Sequence, residues 1–149
     1  MTVLGILVMG WGVVCGGILY EHVAVVPVWA RRPPESLTMF RGEHRLRSER
    51  FWMTVHPLLL VLFVVALVVG WGDADVRTLV WVALGGYAAV LLVTNLWFLP
   101  ELMKLVRAPD GTFQAGEWRR CSVRWERASI ARGVLMVGLT VPLVAALAA

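Results

Sequence analysis

Charge is scarce in this chain: only 16% of its 149 residues are charged, against 59% hydrophobic, and the mean hydropathy is +0.74. A soluble globular domain carries about 25% charged residues, so the composition reads as a membrane protein. Cysteine is almost absent. Cys15 and Cys121 fall in an apolar run and a basic loop, too far apart to bridge, and no CxxC or Cys/His spacing points to thiol redox chemistry or zinc. Also missing are GxGxxG, a P-loop, HExxH and the paired ExxH of di-iron bundles, so no nucleotide or phosphate cradle is visible.

What the chain has is apolar length. Four runs, at about 3–22, 55–71, 78–98 and 120–148, each approach the ~20 residues a helix needs to cross a bilayer core. The first lacks a cationic start and a small-x-small cleavage site, and Val14 precedes Cys15, so it is expected to be a retained helix and not a signal peptide. The prediction is an all-α, integral membrane, up-and-down four-helix bundle forming a single domain over 1–149.

Every Lys and Arg except Arg77 lies in 31–50 or 104–132. The positive-inside bias then places both of these basic loops in the cytoplasm and both termini outside, in a multi-pass cell-membrane protein. The basic balance reports topology and contact with anionic lipid, not nucleic acid. Gly10, Gly12, Gly16 and Gly17 give the first helix a small-residue seam for another helix, from this chain or from a second copy in a homo-oligomer.

The loop "PVWARRPPESLTMFRGEHRLRSERFW" holds Trp29, Phe40, Phe51 and Trp52, which suit the membrane interface, and Pro33 with Pro34 interrupts any helix. The second loop contains a "PDG" turn at 109–111. Ionisable groups meet hydrocarbon at one end only. Glu21 and His22 close the first helix, His56 opens the second with Pro57 in its first turn, Asn95 and Glu101 flank the end of the third, and Arg132 lies just inside the fourth. Facing inward with partners is the expected arrangement for such groups.

Trp118, Ser122, Trp125, Ser129 and Arg132 follow 4, 3, 4, 3 spacing, one helical stripe. The bland alternative is a packed seam with Arg132 snorkelling to headgroups. His56 could serve as a general base, a member of an ion pair with Arg132, or a ligand with Glu21 and Glu101 for iron or copper, with His22 in reserve. His44, beside Glu43, lies among arginines that disfavour a cation.

A Gly-rich first helix ending in "YEHVAVVPVW", then "RRPPESL", "FWMTVHP", "FLPELMKL" and "WERASIAR" before an apolar tail together resemble the anthrone oxygenase-like family of four-helix membrane proteins, over nearly the whole chain. The resemblance implies oxidation of anthrone-type polycyclic polyketides to quinones without an evident organic cofactor. The family's Trp, Asn and Arg signature in the last helix is met by Trp125 and Arg132, with Ser129 in place of the amide. The Asn-Pro before its second helix corresponds to His56-Pro57, and its polar positions around the third-helix proline are reduced to Pro100 with Glu101.

Two functional readings follow. In one, a membrane oxygenase or oxidoreductase holds a hydrophobic aromatic substrate among Trp97, Trp118 and Trp125, with Asn95 and Ser129 nearby. His56 or Glu21 then removes a proton, or Glu21, His56 and Glu101 hold a metal that activates dioxygen, and Arg132 stabilises an oxyanion. In the other, a non-enzymatic scaffold or accessory subunit binds lipid or a protein, and its buried charges fix helix register. A transporter is disfavoured, because no inverted repeat is evident.

Overall fold

The computed structural model describes residues 2–32, 35–109 and 111–149. Pro33, Pro34 and Asp110 lie outside the described residues, so the helix-breaking role of the proline pair has no structural counterpart here. Four helices are long and apolar enough to cross a membrane: α1 (Val3–Trp29), α2 (Ser48–Val69), α3 (Ala74–Arg107) and α4 (Gly116–Ala148). Each packs against its neighbours in sequence, and α1 closes the bundle on α4. A 3-10 helix, Glu35–Phe40, lies between α1 and α2.

All four helices outrun their predicted bounds at one end or both. With 34 residues, α3 is about 51 Å long, well beyond the ~30 Å of bilayer hydrocarbon. The surplus of α1, α3 and α4 gathers at the basic end as a cap. α2 begins at Ser48, not near 55, so Pro57 is inside the helix and His56 is not at its N-cap. Glu49 in the first turn, paired with Arg45 at 3.0 Å, favours this earlier start.

Two of the extensions pass through a proline by the same device. Glu21–Val25 and Thr94–Phe98 are π turns, in which Val26 N–H donates to Glu21 O and Leu99 N–H to Thr94 O. Pro27 and Pro100 each stand six residues after the π turn's first residue. A proline ring crowds the carbonyl four residues back, and a widened turn relieves that crowding without ending the helix.

Inward positions repeat with 4, 3 spacing on every helix, giving two separate apolar cores. Leu7, Trp11 and Val14, Leu59 and Phe63, Val80, Ala83 and Tyr87, and Met136 with Leu143 build the first. Val25, Val26, Trp29, Leu37, Phe98, Leu105, Val106, Trp118 and Trp125 build the second, in the cap. The outer faces carry exposed Met9, Val13, Val61, Val68, Trp81, Val134 and Val141, a surface that water would penalise and acyl chains match.

Glycine divides by face. A Cβ on Gly17 would fall 2.7 Å from Phe51, whereas Gly12 and Gly16 meet nothing within 4 Å. The Gly12/Gly16 seam therefore points out of the bundle. Gly86 and Gly85 make a built-in comparison, because a Cβ on Gly86 would sit 2.6 Å from Leu139 and one on Gly85 would be in open space. Gly86→Ala is expected to destabilise by about 1–3 kcal/mol while Gly85→Ala is neutral or slightly stabilising, read as the shift in detergent-unfolding midpoint. In the second loop Thr112 N–H donates to Pro109 O at 3.1 Å and Gly111 has φ +88°, which closes the expected turn. Cys15 and Cys121 are free thiols.

Candidate functional site

Between the two cores lies a layer of polar side chains, one or two from each helix. His56 Nδ1 and Tyr87 Oη are 2.5 Å apart, and Tyr87 is fully buried. The imidazole stacks on Trp52, with centroids 5.2 Å apart and planes at 18°. Trp52 Nε1–H in turn donates to Glu21 Oε1 at 2.7 Å. On the facing helices, Arg132 donates to Thr94 Oγ1 at 3.2 Å and Ser129 Oγ at 3.1 Å, and its guanidinium lies 4.3 Å over the Phe98 ring. Its Nε is buried without a partner among the described residues.

Arg132 is within electrostatic range of both Glu21 and His56, yet no ion pair joins it to either among the described residues. Snorkelling is not its arrangement, since the guanidinium is held inside the bundle by hydroxyls from α3 and α4. Below the layer, Tyr87 packs on Trp11 (5.3 Å) and Phe63 (5.8 Å), and Trp11 Nε1–H donates to Thr140 Oγ1 at 3.1 Å. An acid, an imidazole, a phenol and a guanidinium are thus held between dry walls, where electrostatic interactions are stronger than in water.

Glu101 does not join them. Its carboxylate binds Lys104 Nζ at 2.7 Å and Arg124 Nη2 at 3.0 Å on the outside of the cap. The π turn is the reason: one extra residue rotates the following helix by about 100°, so Phe98, Leu102 and Leu105 face the cap core in place of Glu101, with Trp97 packed at its edge. The expected Glu21, His56, Glu101 ligand set is therefore not assembled, and the described residues contain no group of three His, Cys, Asp or Glu able to hold a metal. Of that set, Glu21 and His56 share the layer. His22, the reserve ligand, has Nδ1 at 2.9 Å from Ile18 O and a buried Nε2 with no partner among the described residues. Since both partners of Glu101 are exposed, Glu101→Gln is expected to cost less than about 1 kcal/mol and to leave ligand binding at the layer unchanged, checked by thermal unfolding with and without substrate.

The expected substrate contacts also divide. Ser129 is in the layer and fully buried. Asn95 is exposed and donates to Leu91 O of its own helix at 2.8 Å. Trp97 is half-buried against Phe98, at 4.6 Å between centroids. Trp118 and Trp125 pack edge-on against Trp29 at 5.7 and 5.6 Å, and Trp125 Nε1–H donates to Phe98 O at 3.0 Å. These two indoles build the cap core.

Tyr87, Trp52 and Thr94 were missed, and the signal for them is periodicity. Positions 76, 80, 83, 87, 90 and 94 on α3, and 52, 56, 59, 63 and 66 on α2, repeat the 4, 3 spacing that marks the Arg132 stripe. No family model matches the chain, and no curated protein or solved structure matches it either.

Proposed function

We propose that the protein is a multi-pass membrane oxidoreductase that oxidises a hydrophobic, aromatic polyketide-like substrate in the polar layer, with its basic loops in the cytoplasm and its termini outside. One observation carries this reading. The His56 ring is fixed by Tyr87 on one nitrogen, while Nε2 has no hydrogen bond to a described residue. When Nδ1–H donates to Tyr87 Oη, Nε2 is a free proton acceptor inside a shielded layer.

The chemistry suited to that group starts from an acidic ring methylene next to an aryl ketone. His56 takes the proton, and Arg132 stabilises the resulting phenolate-like oxygen. Dioxygen then converts CH2 to C=O with loss of one water, so one dioxygen is consumed per substrate. Trp52 covers one face of the His56 ring. The test is oxygen uptake by the purified protein in lipid nanodiscs with anthrone as substrate, with and without a chelator. A base-driven reaction survives chelation; a metal-dependent one does not.

A second reading, a scaffold that self-associates, draws on the outward, uncrowded Gly12 and Gly16. It requires cross-linking of α1 to α1 and no oxygen uptake.

A further inference from the structure

Donors without partners also occur at the far side of the cap. A cavity of about 860 Å³ opens between the 3-10 segment, the end of α3 and the start of α4, a size typical of small-molecule sites. Leu37, Phe113 and Trp118 give it an apolar side, and Arg31, Arg32 and Arg119 a cationic one. The guanidinium groups of those three arginines make no hydrogen bond or ion pair with a described residue. Arg41 also lines the cavity and donates to Val106 O at 3.4 Å and Ala108 O at 3.0 Å, which ties the first loop to the end of α3 and fixes one wall against the other. Among the described lining residues, four guanidinium groups stand against one acidic side chain, Glu35.

Trp118 adds an independent observation. It is only 5% exposed, and its indole N–H is buried with no acceptor among the described residues. Buried donors are almost always satisfied, and one left bare is a cost that an incoming acceptor removes. Its neighbour in the core, Trp125, has the carbonyl of Phe98. Trp118, which borders the cavity, has no such carbonyl among the described residues.

We propose that this cavity binds a phosphate-bearing amphiphile, its phosphate held by Arg31, Arg32 and Arg119 and its apolar portion laid along Phe113, Leu37 and Trp118. A phosphate matches the site better than a carboxylate does. It brings up to two negative charges and three acceptor oxygens, which suit several guanidinium groups at once. The phosphate can come from the headgroup of an anionic lipid at the basic end of the bundle or from a free phosphomonoester.

The experiment uses the full-length protein in phosphatidylcholine nanodiscs. Hexyl phosphate and inorganic phosphate are titrated calorimetrically, and dioleoyl phosphatidate, doped into the nanodisc, is followed as a retained adduct by native mass spectrometry. Binding of hexyl phosphate assigns a soluble ligand; retention of phosphatidate without it assigns a lipid headgroup. In either case Arg31→Gln combined with Arg119→Gln is expected to weaken binding about tenfold or more, and Trp118→Phe, which keeps the bulk and removes the donor, by roughly threefold. Arg120→Gln, on the same helix but outside the cavity, should stay within about twofold. If the double variant fails to fold, Trp118→Phe decides. No binding of any of the three probes, or an equal loss in Arg120→Gln, overturns the proposal.

Discussion

Trp29→Ala is expected to destabilise the cap by about 3–5 kcal/mol, the largest stability effect of any single substitution considered. Trp29 is 2% exposed and meets three rings edge-on: Phe40 at 6.4 Å, Trp118 at 5.7 Å and Trp125 at 5.6 Å. Such contacts add about 0.5–1.5 kcal/mol each beyond area burial. Its carbonyl accepts the Ser36 hydroxyl at 2.6 Å, so the residue also fastens the 3-10 segment to the end of α1. The membrane-spanning core shares none of these contacts. Denaturation followed by circular dichroism should therefore show an early loss of cap helix while the four spans persist. A single unshifted transition would show that Trp29 is not the centre of a separate core.

The largest functional effect is expected from His56→Gln, which should lower turnover about 10²–10⁴-fold. Glutamine is close in reach and still bonds the Tyr87 hydroxyl, but it offers no nitrogen that can take a proton at neutral pH. Assembly of the bundle should therefore be kept, and substrate affinity should change much less than turnover. Tyr87→Phe is expected to fall between, because the ring is freed but remains basic. If His56→Gln turns over like the parent protein, the base is another group or the layer is structural, as the scaffold reading holds.

The four apolar runs carried the fold without ambiguity, because no other fold satisfies ~20 consecutive apolar residues as economically as a spanning helix. The extent of the helices was less legible. The apolar runs end near 22 and 98, yet both helices continue through the prolines that follow, Pro27 and Pro100, by a π turn, a backbone adjustment that leaves no mark in composition. That single inserted residue is also why Glu101 was misplaced: in an uninterrupted α-helix the 4, 3 stripe of α3 would carry it inward, and the π turn turns it out to Lys104 and Arg124. Glu21, His56, Ser129 and Arg132 lie on stripes that run without interruption up to the layer, and there the sequence led to the right neighbourhood. Tyr87 was overlooked because a lone tyrosine in an apolar run resembles core filling. Which nitrogen it would bind depends on the rotation of α2 against α3, set by packing across the whole bundle.

Nitrogen NMR of the imidazoles in nanodiscs tests the central claim most directly, since the chain has only three histidines. With His56 Nδ1 held by Tyr87 Oη inside the bundle, Tyr87→Phe should shift the His56 Nδ1 resonance strongly and leave His44 unmoved. Identical spectra for the two proteins would mean that ring and phenol do not meet, and that the layer between the two cores is not built as described.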